Sequence, residues 1–132
     1  MLECLIMGDS IAYGTSQVRP ECVAYVKSGI NSHDWLNQNV GTSPYIAKTV
    51  IISLGTNDLK NIKTEDELRT IRQLTKADRV YWIMPSIKVG VMQAVSTVAK
   101  EYGDVVLTGV KRSEDGIHPT PTGYKKIAKD TK

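Results

Sequence analysis

Thr49-Val50-Ile51-Ile52-Ser53-Leu54, followed at once by Gly55-Thr56-Asn57-Asp58, is the stretch that decides the fold. The β-branched run Val50-Ile51-Ile52 is apolar on both faces, as a central strand covered on both sides must be. A glycine and a polar tripeptide then end it abruptly. Reading outward, the same grammar recurs. Leu2 to Met7 is a short buried strand that runs into Gly8-Asp9-Ser10, and a helix opens near Ser10 and ends before Pro20. Cys22 to Val26 is a second strand, and Asn31 to Asn37 a short helix carrying Trp35 and Leu36. Thr64-Glu65-Asp66-Glu67 has capping-box spacing and starts a helix with Leu68, Ile71 and Leu74 on one stripe. Val80 to Met84 is a strand stopped by Pro85, and Val89, Met92, Val95, Ala99 and Tyr102 recur at helical spacing before Gly103. Val105 to Leu107 is a last strand, and Thr120-Pro121 reads as N-cap and first residue of a final helix.

This βα alternation predicts an α/β chain of three αβα layers, with a five-stranded parallel sheet in the flavodoxin-like order 2-1-3-4-5. Ligand sites in such sheets lie beyond the carboxyl ends of the strands, above all where the order reverses between the first and third. The segments after Met7 and after Leu54 are therefore the first places to look.

The chain has 132 residues, 41% apolar and 23% charged, which suits a single domain over 1–132 and excludes disordered, collagenous and disulfide-rich classes. A net charge of +3 gives no reason to expect a nucleic-acid or membrane-surface partner. No apolar run is long enough to span a bilayer. Phe is absent, so the aromatic core must come from Tyr and Trp, whose polar tips need partners. Cys4 and Cys22 read as buried thiols of a reducing compartment, with no zinc spacing. The N-terminus lacks the basic flank of a signal peptide, which, for a chain starting here, predicts a cytoplasmic protein. There is no P-loop, no GxGxxG and no Gly-x-Ser-x-Gly elbow, so no cofactor or metal is expected.

Taken singly, the polar turns have bland readings: Ser10 as an N-cap, Asn57 as an Asx-turn, Gly29 as a turn glycine and His118 as a solvated loop histidine. Together their roles are complementary. Ser10 at a helix start is placed as a nucleophile near free backbone N–H groups. His118, kept out of helical geometry by Pro119, is placed as a base, and Asp115 three residues earlier can fix its tautomer. Asn57 and the backbone at Gly29 can supply donors to an oxyanion.

At this point the sequence resembles the SGNH (GDSL-type) hydrolases. Gly8-Asp9-Ser10 resembles that family's first block, Ser28-Gly29 the second, Gly55-Thr56-Asn57-Asp58 the third and Asp115-Gly116-Ile117-His118-Pro119 the last, in family order and over nearly the whole chain. The resemblance implies a serine esterase with Ser10 as nucleophile, His118 as base and Asp115 as its orienter. It also implies an oxyanion hole made by the Ser10 and Gly29 N–H groups and the Asn57 side chain. Short connections without a lid predict a shallow pocket and a short acyl group, such as acetyl on a carbohydrate. A lysophospholipase or thioesterase would instead need an apolar groove, and a non-catalytic glycan- or protein-binding module would need none of the reactive groups. Tyr13, Trp35, Tyr45 and His33 are secondary candidates for the pocket wall, while Asp9 and Asp58 are expected to make structural hydrogen bonds.

Overall fold

The computed structural model describes residues 1–132. Five parallel strands form one sheet in the order β2-β1-β3-β4-β5: β1 Leu2–Gly8, β2 Val23–Val26, β3 Tyr45–Ser53, β4 Thr75–Ile83 and β5 Val105–Leu107. Four helices connect them, α1 Ser10–Val18, α2 Ser32–Asn39, α3 Thr64–Gln73 and α4 Val89–Tyr102, and a fifth, α5 Pro121–Asp130, follows β5. The expected three-layer α/β fold and strand order are those observed.

The two-residue period of β1 divides the core. Leu5 and Met7 face a core shared with Trp35 of α2, Leu68 and Ile71 of α3, and Ala94, Val95, Val98 and Ala99 of α4. Cys4 and Ile6 face the opposite way, onto Ile11 and Ala12 of α1 and Ile127 of α5. The aromatic tips find the partners that burial demands. Trp35 donates to the Tyr25 carbonyl, Tyr45 to that of Asn39, and Trp82 to Asp104, which also holds Arg72 in a shielded ion pair.

Several boundaries differ from the sequence reading. β3 begins at Tyr45 and β4 at Thr75, earlier than the apolar runs suggest. The added pairs, such as Tyr45 with Thr75 and Ile46 with Lys76, lie where alternate residues of β4 face solvent, so the polar segment Thr75–Arg79 hides a strand. Thr64 does not cap α3: Lys63 occupies that position without a side-chain bond, and the Thr64 hydroxyl goes to Asp58 instead. In α4 the buried stripe is Val91, Ala94, Val95, Val98 and Ala99, while Val89 is exposed.

Cys4 and Cys22, expected as free thiols, are joined in a disulfide. Parallel pairing of β1 with β2 brings the start of β2 back beside Cys4, a proximity that composition and spacing do not reveal. The bridge spans a sequence separation of 18. By the loop-closure argument it contributes about 3 kcal/mol by restricting the unfolded chain. A Cys4→Ser, Cys22→Ser variant should lose about that much stability in urea unfolding, and an unchanged midpoint would refute the bridge.

Candidate functional site

The site forms where strand order reverses, at the carboxyl ends of β1 and β3. Gly8 ends β1 with φ +142°, and a Cβ there would lie 1.8 Å from the Ser53 carbonyl oxygen, so only glycine permits this approach. Two bonds then lock the crossing: Asp9 N–H donates to Ser53 O at 3.0 Å, and the Ser53 hydroxyl donates to Asp9 Oδ1 at 3.1 Å. The same oxygen accepts from Ile11 N–H and Ala12 N–H, which makes Asp9 the N-cap of α1. Ser10 is consequently not a cap. It is the first residue of the helix, with its hydroxyl released from capping and its N–H without an intrahelical acceptor.

That hydroxyl lies 2.9 Å from His118 Nε2, across 108 positions of sequence. On the other side of the ring, Nδ1 is 2.7 Å from Asp115 Oδ2. Asp115 Oδ1 accepts from the N–H groups of Ile117 and His118 and from the Ser113 hydroxyl. The His118 side chain foremost, then these backbone donors, hold the Asp115 carboxyl well below the usual carboxylate range, so it stays ionised. An ionised acceptor fixes the neutral ring with its proton on Nδ1, leaving Nε2 to accept from Ser10. The loop bearing both residues is closed by Ser113 N–H to His118 O and by Arg112, which donates to the carbonyls of Ile117 and Met84.

Gly29 and Asn57 occupy the loops after β2 and β3, on either side of β1. Gly29 is in the left-handed region at φ +80°, and its N–H has no backbone acceptor. Asn57 donates one amide hydrogen to Ile30 O at 3.0 Å, which fixes the flip of the carboxamide and leaves its second hydrogen unused. Asp58 is buried and ties the same loops together. It accepts from Ser32 N–H and from the hydroxyls of Ser32 and Thr64, joining the starts of α2 and α3. The expectation of a structural role for Asp58 matches these bonds.

The secondary candidates go elsewhere. Trp35 and Tyr45 are fully buried and pack edge-on against each other at 5.3 Å. Tyr13 is exposed on α1. His33 pairs with Glu67 and Asn37, and Glu67 raises its pKa. An open cleft of about 820 Å³ begins at Asp58, next to Asn57, and is lined by none of Ser10, Gly29, Asn57, Asp115 and His118. Leu59, Ile62, Val91 and Ala94 provide its apolar lining, and Lys60, Lys63 and Lys88 its cations. The apolar spacing of α4 points to Val89 and Met92 as inward residues, whereas Val91 and Ala94 turn inward and line this cleft. Ser86 and Lys88, which contact the loops on both sides of the site, carried no motif signal at all.

Compared with known proteins, the sequence matches no family model and no curated protein. Its structure does find relatives. A GDSL-like lipase from Bacteroides thetaiotaomicron superposes with a TM-score of 0.69 over 97% of this chain and 84% of the lipase, at 16% identity. This is a GDSL-type hydrolase fold. The C-terminal catalytic domain of peptidoglycan O-acetyltransferase A from Streptococcus pneumoniae superposes with a TM-score of 0.57 and 16% identity, over 98% of this chain and 96% of that domain. Phospholipase A1 from Streptomyces albidoflavus gives 0.62 at 13% identity, over 98% and 99% of the two chains. What the GDSL-type likeness fixes is the fold.

Asp9 carries a measurable cost. Burial raises its pKa to about 6 from 3.8, outweighing the Ser53, Ile11 and Ala12 hydrogen bonds that oppose the shift, and its Oδ2 has no partner. Between those values the folded chain binds a proton that the unfolded chain does not, so stability falls as pH rises through this window, by about 3 kcal/mol in all. Asp9→Asn keeps a capping oxygen and removes the charge. Urea unfolding should show it stabilised over wild type at about pH 8, with the difference shrinking toward about pH 4. A pH-independent difference would contradict the assignment.

Proposed function

We propose that this chain is a serine esterase that works through an acyl-enzyme. The observation that carries the reading is the unbroken hydrogen-bonded line from Ser10 Oγ through His118 to the Asp115 carboxylate. Ser10 attacks the ester carbonyl as its proton passes to His118 Nε2. Asp115 stabilises the imidazolium that forms. The developing oxyanion is met by the N–H groups of Ser10 and Gly29 and by the unused amide hydrogen of Asn57. What supports this grouping is that the three follow the carboxyl ends of β1, β2 and β3, which lie side by side, about 5 Å between neighbours. His118 then protonates the departing alcohol, and a water activated by the same ring releases the acyl group. A pure binding module has no need for an aligned hydroxyl, imidazole and carboxylate, so catalysis is the better reading of this geometry.

Short O-acyl groups, such as acetyl on a carbohydrate, fit an exposed leaving group and a connection set without a lid. The cleft beside Asn57 favours a second reading, in which a longer acyl chain lies along Leu59, Ile62 and Val91. The disulfide supports an oxidising compartment as the place of work, against the cytoplasmic location expected from the sequence. Thiol titration of unreduced, denatured protein from its native source should then find no reactive thiol.

Ser10→Ala should abolish ester turnover with the fold intact, and Asn57→Ala should lower kcat by roughly 10²–10³. Wild-type rates in Ser10→Ala would end the proposal. A series of p-nitrophenyl esters decides acyl length: kcat/KM falling beyond butyrate supports the short-acyl reading, and a flat or rising profile supports the cleft.

A further inference from the structure

The connection between β4 and α4 inverts the ordinary burial pattern. Ile87 and Val89 are 64% and 66% exposed, whereas the charged Lys88 between them is partly buried. Ile87 also has φ +66°, the only non-glycine residue in the left-handed region. A β-branched side chain disfavours that conformation, and this one is left largely exposed. The turn is closed by Lys88 N–H to Ser86 O at 2.8 Å. Its consequence is visible on either side of Ile87. The Ser86 hydroxyl donates to the Gly116 carbonyl, inside the loop that carries Asp115 and His118. Lys88 Nζ donates to the Asp58 carbonyl at 2.8 Å, directly after Asn57.

We propose that Ser86 and Lys88 are positioning residues, and that residues 86–88 form a strap fixing the base loop against the oxyanion loop. The inference rests on the esterase reading of the site. Each end of the strap grips a backbone carbonyl, so it acts on the placement of whole loops and not on the charge of any reacting group. At the Asp58 end the restraint is passed on: the Asp58 carboxylate holds Ser32, and Asn57 holds Ile30, so the loop bearing Gly29 moves with them. At the Gly116 end it meets Arg112, which clamps Ile117 to Met84, the residue that leads into the strap. The two halves of the site come from segments about 60 residues apart in sequence and share no backbone pairing with each other; the strap is the element hydrogen-bonded to both. Unfavourable backbone geometry at Ile87 is what lets neighbouring side chains reach in two directions.

A restraint with two ends has a distinctive signature, because cutting either end frees it. Ser86→Ala and Lys88→Met should each lower kcat for p-nitrophenyl acetate by about tenfold with KM little changed, since misplaced loops cost more in the transition state than in substrate binding. The double variant should also lose only about tenfold, and Ser86→Thr and Lys88→Arg, which keep the donors, should restore most of kcat. Circular dichroism and urea melts establish that each variant is folded under assay conditions. A double variant about a hundredfold impaired would show two independent local effects and overturn the strap, as would wild-type kcat in either single variant. If Ser10→Ala were as active as wild type, or wild type inert on every ester, the esterase reading itself would fall and the strap with it.

Discussion

The contact between Gly8 and the Ser53 carbonyl, with Asp9 taking over the cap of α1, is the constraint on which the rest of the site depends. A serine at the start of a helix ordinarily spends its hydroxyl on a backbone N–H. Here the preceding carboxylate already serves Ile11 and Ala12, so the Ser10 hydroxyl is left to pair with His118. The arrangement is costly, since it buries a carboxyl with one oxygen unpartnered. That cost falls beside the site, where local rules are most often broken for the sake of geometry.

The same logic explains why the fold was legible in the sequence and parts of the site were not. Val50-Ile51-Ile52 and Leu5-Ile6-Met7 declare central strands because burial on both faces leaves no room for polar residues. Thr75–Arg79 does not declare itself, because one face of that segment is solvated and its composition resembles a turn. Likewise, Ser10, Asp115 and His118 stand in compact motifs whose local geometry is nearly self-determined: Asp115 must fold back on His118 within three residues.

What the sequence conceals depends on contacts between distant segments. Cys4 meets Cys22 only because β1 and β2 pair in parallel. The cleft beside Asn57 depends on which face of α4 turns inward, and helical spacing points to Val89 and Met92 where the structure buries Val91 and Ala94. Thr64 fits a capping box by its spacing, yet the buried carboxylate of Asp58 is a better partner than an exposed helix end. In each case a tertiary partner outcompeted a local one.

The central claim is that His118, held by Asp115, makes the Ser10 hydroxyl reactive. Stoichiometric labelling with a fluorophosphonate, mapped by mass spectrometry, tests it most directly. The account predicts one adduct per chain, on Ser10, with a labelling rate that drops by about 10³-fold in His118→Ala. An adduct on another residue, or an undiminished rate in that variant, would contradict it.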